Sequence, residues 1–144
     1  MQLIQLVRKF INMKLANKHI FVTGGAKGIG EAIVRDAAAE GAKVSFIDID
    51  VAVGEKLAAE LNAVGKQVAF VKADVASFEQ LKAAFEQVVV KLGDVTGVVN
   101  NAGVNSHADP VTMTDKQWDD FFAIDMKPVW LTAKLALPAM RKAK

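Results

Sequence analysis

From Lys18 onward the chain alternates between short runs of adjacent apolar residues and longer stretches in which apolar residues return at helical spacing. The first pattern belongs to strands buried on both faces, the second to helices with one buried stripe. Read this way, Lys18–Thr23 is a strand and Ile29–Glu40 a helix stopped by Gly41. Lys43–Asp48 is a second strand carried by Val44, Phe46 and Ile47. A helix burying Leu57, Leu61 and Val64 follows, closed by Gly65, and Gln67–Lys72 is the third strand. Ser77 and Gln80 make a capping box for a long helix whose stripe is Phe78, Leu81, Phe85, Val88 and Leu92. Gly93-Asp94 turns the chain into a fourth strand, Val95–Asn100, and a loop of small and polar residues covers Ala102–Thr112. Thr114 and Gln117 form a second capping box, for a helix carrying Trp118, Phe121 and Phe122. The last segment, Lys127–Lys144, is largely apolar, with Pro128 near its start and Pro138 interrupting it.

Strands that alternate with helices need a parallel sheet with right-handed crossovers, covered on both faces. The expected fold is therefore α/β: a Rossmann-type, doubly wound parallel sheet, truncated after about four strands. Residues 14–144 form the expected Rossmann-type domain, incomplete by that count, and residues 1–13 an N-terminal extension. In the extension, Leu3, Ile4, Leu6, Val7, Phe10 and Ile11 make an apolar stripe beside Arg8-Lys9. The stretch faintly resembles a transit peptide but contains no serine, and Arg8-Lys9 breaks the apolar region that a signal peptide requires.

Composition narrows the function classes. A hydrophobic fraction of 52% over 144 residues is enough for one folded domain with a real core. The 18 basic and 16 acidic residues are dispersed, so the net charge of +2 gives no reason to expect a nucleic-acid partner. No apolar run reaches the roughly 18 residues that cross a bilayer. With no cysteine there is neither a disulfide nor a thiolate zinc site, which suits a cytoplasmic protein. His19 and His107 stand alone, so no metal site is expected.

The chemistry concentrates in Thr23-Gly24-Gly25-Ala26-Lys27-Gly28-Ile29-Gly30, between the first strand and the first helix. Glycines there let the backbone turn sharply and approach a pyrophosphate, while free N–H groups at the helix start face the anion. Asp48 ends the second strand, where a carboxylate accepts hydrogen bonds from both hydroxyls of an adenosine ribose. A 2′-phosphate at that place meets a like charge, which favours NAD over NADP. Asp50 competes for the role, but its position suits capping the next helix. Lys27 pulls the other way, as a cation able to attract a 2′-phosphate.

The glycine loop, Asp48, Ala73-Asp74-Val75, Asn100-Asn101-Ala102-Gly103 and Trp118 with its helix occur in the order found in classical short-chain dehydrogenases/reductases, and the chain resembles that family over residues 14–144. The resemblance implies cofactor contacts from Gly24, Lys27, Gly28, Ile29 and Gly30 to the pyrophosphate. It further implies Asp48 at the ribose, Asp74 and Val75 at the adenine, and Asn100, Asn101, Ala102 and Gly103 beneath the middle of the cofactor. It implies an alcohol or sugar hydroxyl as substrate of the complete enzyme, hydride transfer to or from nicotinamide, and a homo-oligomer built through the last helix. Val129, Leu131, Leu135 and Leu137 of that helix are expected to lack a cover. The family's acid–base work falls to a tyrosine, a lysine four residues later, a serine and a helical asparagine. This chain has no tyrosine, and Asp125 stands at the asparagine's place, so no residue here is assigned a catalytic role.

Ser106, His107 and Asp109 invite a hydrolase reading, but adjacent side chains diverge, and triads are assembled from separate segments. Asn105, Ser106 and His107 are instead candidates for touching substrate in a complete enzyme. Two alternatives stay open: an inactive NAD-binding or dimerisation module, and another Rossmann-like protein such as a methyltransferase, against which Asn100–Gly103 counts.

Overall fold

A computed structural model describes residues 13–105 and 109–142. Four parallel strands form its sheet: β1 (His19–Thr23), β2 (Lys43–Asp48), β3 (Val68–Lys72) and β4 (Gly97–Asn100), in the spatial order β3-β2-β1-β4. The helices between them are α1 (Gly28–Ala39), α2 (Val51–Ala63) and α3 (Phe78–Leu92), with α4 (Asp115–Asp125) and α5 (Lys127–Lys142) after β4. The first three strands step outward in one direction, and β4 returns to the other side of β1. The topological switch therefore lies between β1 and β4, beside the loop that opens α1.

Successive strand residues face opposite layers, which explains the continuous apolar runs. Val22, Val44 and Phe46 pack with Val34 and Ala38 of α1 and Leu57 and Leu61 of α2. Phe21 and Ile47 point the other way, onto Leu81, Phe85 and Val88 of α3 and Leu131 of α5. Phe21 meets Phe85 edge-on at 5.3 Å between ring centroids. Cutting such a fully buried ring back to alanine costs about 3–5 kcal/mol.

Several sequence expectations change in detail. Val64 is 70% exposed, because it caps α2 past the last turn that faces the sheet. β4 begins at Gly97 rather than Val95; Val95 is buried ahead of the strand, and Thr96 N–H donates to the His19 carbonyl at 2.9 Å. Ser77 does accept from Gln80 N–H, but the Gln80 side chain turns to Asp74 N–H at 3.0 Å, so only half of that capping box forms. The Thr114–Gln117 box is complete. Pro138 does not interrupt α5, which continues to Lys142. Lys134 and Pro138 both lie on an exposed side of the helix, so the hydrogen bond that proline forgoes is lost where solvent can replace it. Leu131 and Leu135 are covered by the core below α5, whereas Val129 and Leu137 are exposed. The expectations for residues 1–12, Ser106 and His107 lie outside the described residues.

Candidate functional site

The loop after β1 owes its shape to three constraints. Gly24 has φ +65°, and a Cβ there would sit 2.9 Å from Ala102 Cα, so the end of β4 passes directly against it. At Gly30 a Cβ would come within 2.0 Å of the Gly24 carbonyl and 2.5 Å of Asn101 Nδ2, so α1 starts tightly under the loop only because the side chain is absent. Asn101 then locks the arrangement, its Nδ2 donating to the Thr23 carbonyl at 3.1 Å and the Gly24 carbonyl at 2.9 Å. Thr23, fully buried, accepts at Oγ1 from Asn101 N–H at 3.1 Å and Ala102 N–H at 3.0 Å.

Asp48 closes the other side. One carboxylate oxygen accepts from Ala26 N–H at 3.0 Å and the other from Asp50 N–H at 3.1 Å. Each oxygen keeps a further lone pair, so the group is oriented and still able to accept. Asp50 caps α2 by accepting from Val53 N–H at 3.3 Å, as its position predicts. It also holds the Lys27 ammonium at 2.9 Å. That hydrogen bond and its charge raise the Lys27 ammonium above its ordinary range and lower the Asp50 carboxyl below its own.

These groups surround one cleft of about 400 Å³ at the carboxyl ends of the strands, within the roughly 300–1,000 Å³ usual for small-molecule sites. Gly24, Lys27, Asp48, Asp74, Val75, Asn101, Ala102 and Gly103 line it, all named by the sequence. Gly28, Ile29, Gly30 and Asn100 do not. Ile29 is 76% exposed, and Gly28 has φ +59° with open space where a side chain would be. Gly30 acts through packing, and Asn100 accepts at Oδ1 from Thr132 Oγ1 at 2.8 Å, tying β4 to α5. Asp74 spends one oxygen on Ala76 N–H at 2.9 Å.

Sequence reasoning missed Ile47, Ile49, Ala73, Val104 and Ile124, which supply apolar wall. Ile49, 67% exposed next to Asp48, was detectable as a large apolar residue outside any buried stripe. Ile124 comes from α4, and nothing local announces it. Its neighbour Asp125 accepts at Oδ1 from Val104 N–H at 2.9 Å, so the residue at the expected asparagine's place fastens the loop after β4. Among the described residues no cluster of metal-ligating side chains occurs, and no helix is long and apolar enough to cross a membrane.

The lining, an acid with spare acceptor capacity between small residues and apolar walls, fits the adenosine part of a dinucleotide. Gly24, Ala102 and Gly103 line the cleft with little side chain, Asp48 keeps spare acceptor capacity, and Ile47, Ile49, Val75, Val104 and Ile124 supply apolar surface. Comparison with known proteins points the same way. The chain is 36% identical over 127 residues to a protein from Xanthobacter autotrophicus named 2-(S)-hydroxypropyl-CoM dehydrogenase 3, covering 88% of this chain and 50% of the relative. It is 33% identical over 129 residues to a Rhizobium meliloti protein named "Probable galactose dehydrogenase GalD", covering 89% and 50%. Among solved structures, a blue fluorescent protein from a metagenomic library in complex with NADPH superposes with a TM-score of 0.82 at 34% identity, covering 87% of this chain and 52% of that one. The chain thus spans about half the length of these relatives. With the family model described as "short chain dehydrogenase" matching residues 18–144, the chain belongs to the short-chain dehydrogenase/reductase family.

Proposed function

We propose that the cleft holds the adenosine diphosphate part of a nicotinamide dinucleotide, with NAD preferred over NADP. In a protein of the relatives' full length, the reaction is hydride transfer between an alcohol or sugar hydroxyl and that cofactor. The observation that carries this reading is the meeting of Gly24 and Lys27 of the glycine loop with the Asp48 carboxylate at one cleft, at the switch point between β1 and β4. The family binds NAD(P), and one structural neighbour holds NADPH. The preference for NAD therefore rests on this chain's own Asp48.

The roles follow from position. Backbone N–H groups of Gly28, Ile29 and Gly30, at the start of α1, face an anion together with the partial positive charge of the helix end. Gly24 flanks it, while Lys27, held by Asp50, stands toward the Asp48 side of the cleft. Asp48, aimed by two amide hydrogen bonds, accepts from the ribose hydroxyls, and Asp74, Val75 and Ile49 border the adenine. Asn101, Ala102 and Gly103 pass beneath the middle of the cofactor, with Asn100 anchoring that segment from behind. When bound, the nicotinamide supplies a hydride donor or acceptor at its C4. The 144 residues hold no tyrosine, and none of their side chains is assigned proton transfer to or from substrate. A phenol with an ordinary pKa near 10 needs a neighbouring cation to do that work at neutral pH. Exposed Val129 and Leu137 of α5 are assigned to contact with a second copy in the full-length protein.

Isothermal titration calorimetry of the folded chain with NAD and NADP tests the reading. NAD is expected to bind more tightly, and Asp48→Ala to lose most of that advantage. Tighter binding of NADP would overturn the preference. A natively folded sample giving no heat with either dinucleotide would overturn the site.

A further inference from the structure

Asp48 is not the only acid governing the ribose end of the cleft. Lys27 lines the same cleft and lies near enough to feel the Asp48 charge. It is the one basic side chain among the cleft-lining residues, and a 2′-phosphate beside Asp48 would be drawn to it. Its ammonium is already committed, 2.9 Å from Asp50 Oδ2. Asp50 is itself fixed by the fold, because its other oxygen accepts from Val53 N–H and its own N–H donates to Asp48. The acid therefore cannot swing away without uncapping α2.

We infer that Asp50 is a cofactor-specificity residue that occupies Lys27 and so denies a 2′-phosphate the one cation among the described cleft-lining residues. This rests on the dinucleotide reading of the cleft and adds to it a second carboxylate. The charge arithmetic shows why the second acid matters. With Asp48, Asp50 and Lys27 all ionised, the ribose end carries a net negative charge, and the cation is shared before the ligand arrives. With Asp50 neutral, Lys27 balances Asp48 and is free to turn to a phosphate. The uncharged ribose hydroxyls of NAD feel little of this change.

The test uses Asp50→Asn, which keeps an oxygen to cap α2 while removing the charge, together with Lys27→Gln and the double variant. Calorimetry with NAD and with NADP is run on all four chains at low salt. Asp50→Asn is expected to tighten NADP at least about threefold, the scale of one exposed charge pair, and to leave NAD within about twofold. Lys27→Gln alone is expected to change NADP little, and the double variant to lose the gain. NADP affinity unchanged in Asp50→Asn, with NAD still bound, overturns the inference and leaves the dinucleotide site standing. A gain that persists in the double variant also overturns it, since Asp50 then acts without Lys27. Neither dinucleotide binding to the folded parent chain overturns the underlying site and the inference with it.

Discussion

His19 shows how a single side chain sets a condition on the whole protein. It is 2% exposed, with Nδ1 at 2.8 Å from the Gly93 carbonyl and Nε2 at 2.7 Å from Ser45 Oγ, so it joins β1, β2 and the turn after α3. Both contacts suit the neutral ring: Nδ1–H donates to the carbonyl and Nε2 accepts from the hydroxyl. Burial pushes the imidazole below its ordinary value, against an upward pull from the Gly93 carbonyl, and nearby Lys43 lowers it further. Below about pH 6.5 the unfolded chain takes up a proton that the folded protein refuses. The His19 contribution is thus complete above that pH and declines as the pH falls through it toward the folded-state value. Urea unfolding is expected to show a constant midpoint from about pH 8 to 7 and a falling one from about pH 6.5 to 5. In His19→Gln the fall over that interval should shrink, and an identical pH profile in the variant would count against this account. In the sequence His19 stands at the start of the first strand without a metal-ligand companion. Its neutral state comes from burial in the folded sheet, where Ser45 and Gly93, far along the chain, meet its two ring nitrogens.

Among the elements, α4 is the most dependent on its own local chemistry. None of its residues is buried, Trp118 stacks on Phe122 at 4.4 Å on an exposed face, and Trp118 is 54% exposed. With so little tertiary support, its N-terminal capping box carries a large share of its stability. Thr114→Ala is expected to cost about 1 kcal/mol locally. Hydrogen exchange should show it as faster exchange across 115–125, with the amides of β1 and β2 unaffected. Acceleration that reached the central strands equally would mean α4 is coupled to the core more tightly than its packing indicates. Caps and apolar stripes were legible because both are patterns over a few neighbouring residues. The Ser77 cap shows where such reading stops. The motif was present, but Gln80 had a competing donor in Asp74 N–H, and only the path of the loop after β3 decided between them. Val64 fails for a related reason: it keeps the spacing of the stripe but sits one step beyond the last turn facing the sheet.

For the whole molecule, the strand order leaves β3 and β4 as the two edges of the sheet. β4 is short and only half-buried, and its outer backbone groups are a template for another strand. The 144-residue chain is accordingly expected to self-associate, with light scattering reporting a mass above that of one copy. A concentration-independent monomer would refute this. The same architecture brings the cleft together: loops after β1, β2, β3 and β4 converge because all four strands point the same way. Local patterning determined the alternation of strands and helices, the glycine loop with its acid, and most of the residues that face the cleft, because spacing, capping and backbone freedom act between near neighbours. Only the tertiary structure decided that Ile124 walls the cleft, that Asp125 ties down Val104, that Asp50 takes Lys27 and that His19 stays neutral. Each of these depends on a distance between segments separated along the chain, which periodicity along a single segment does not encode.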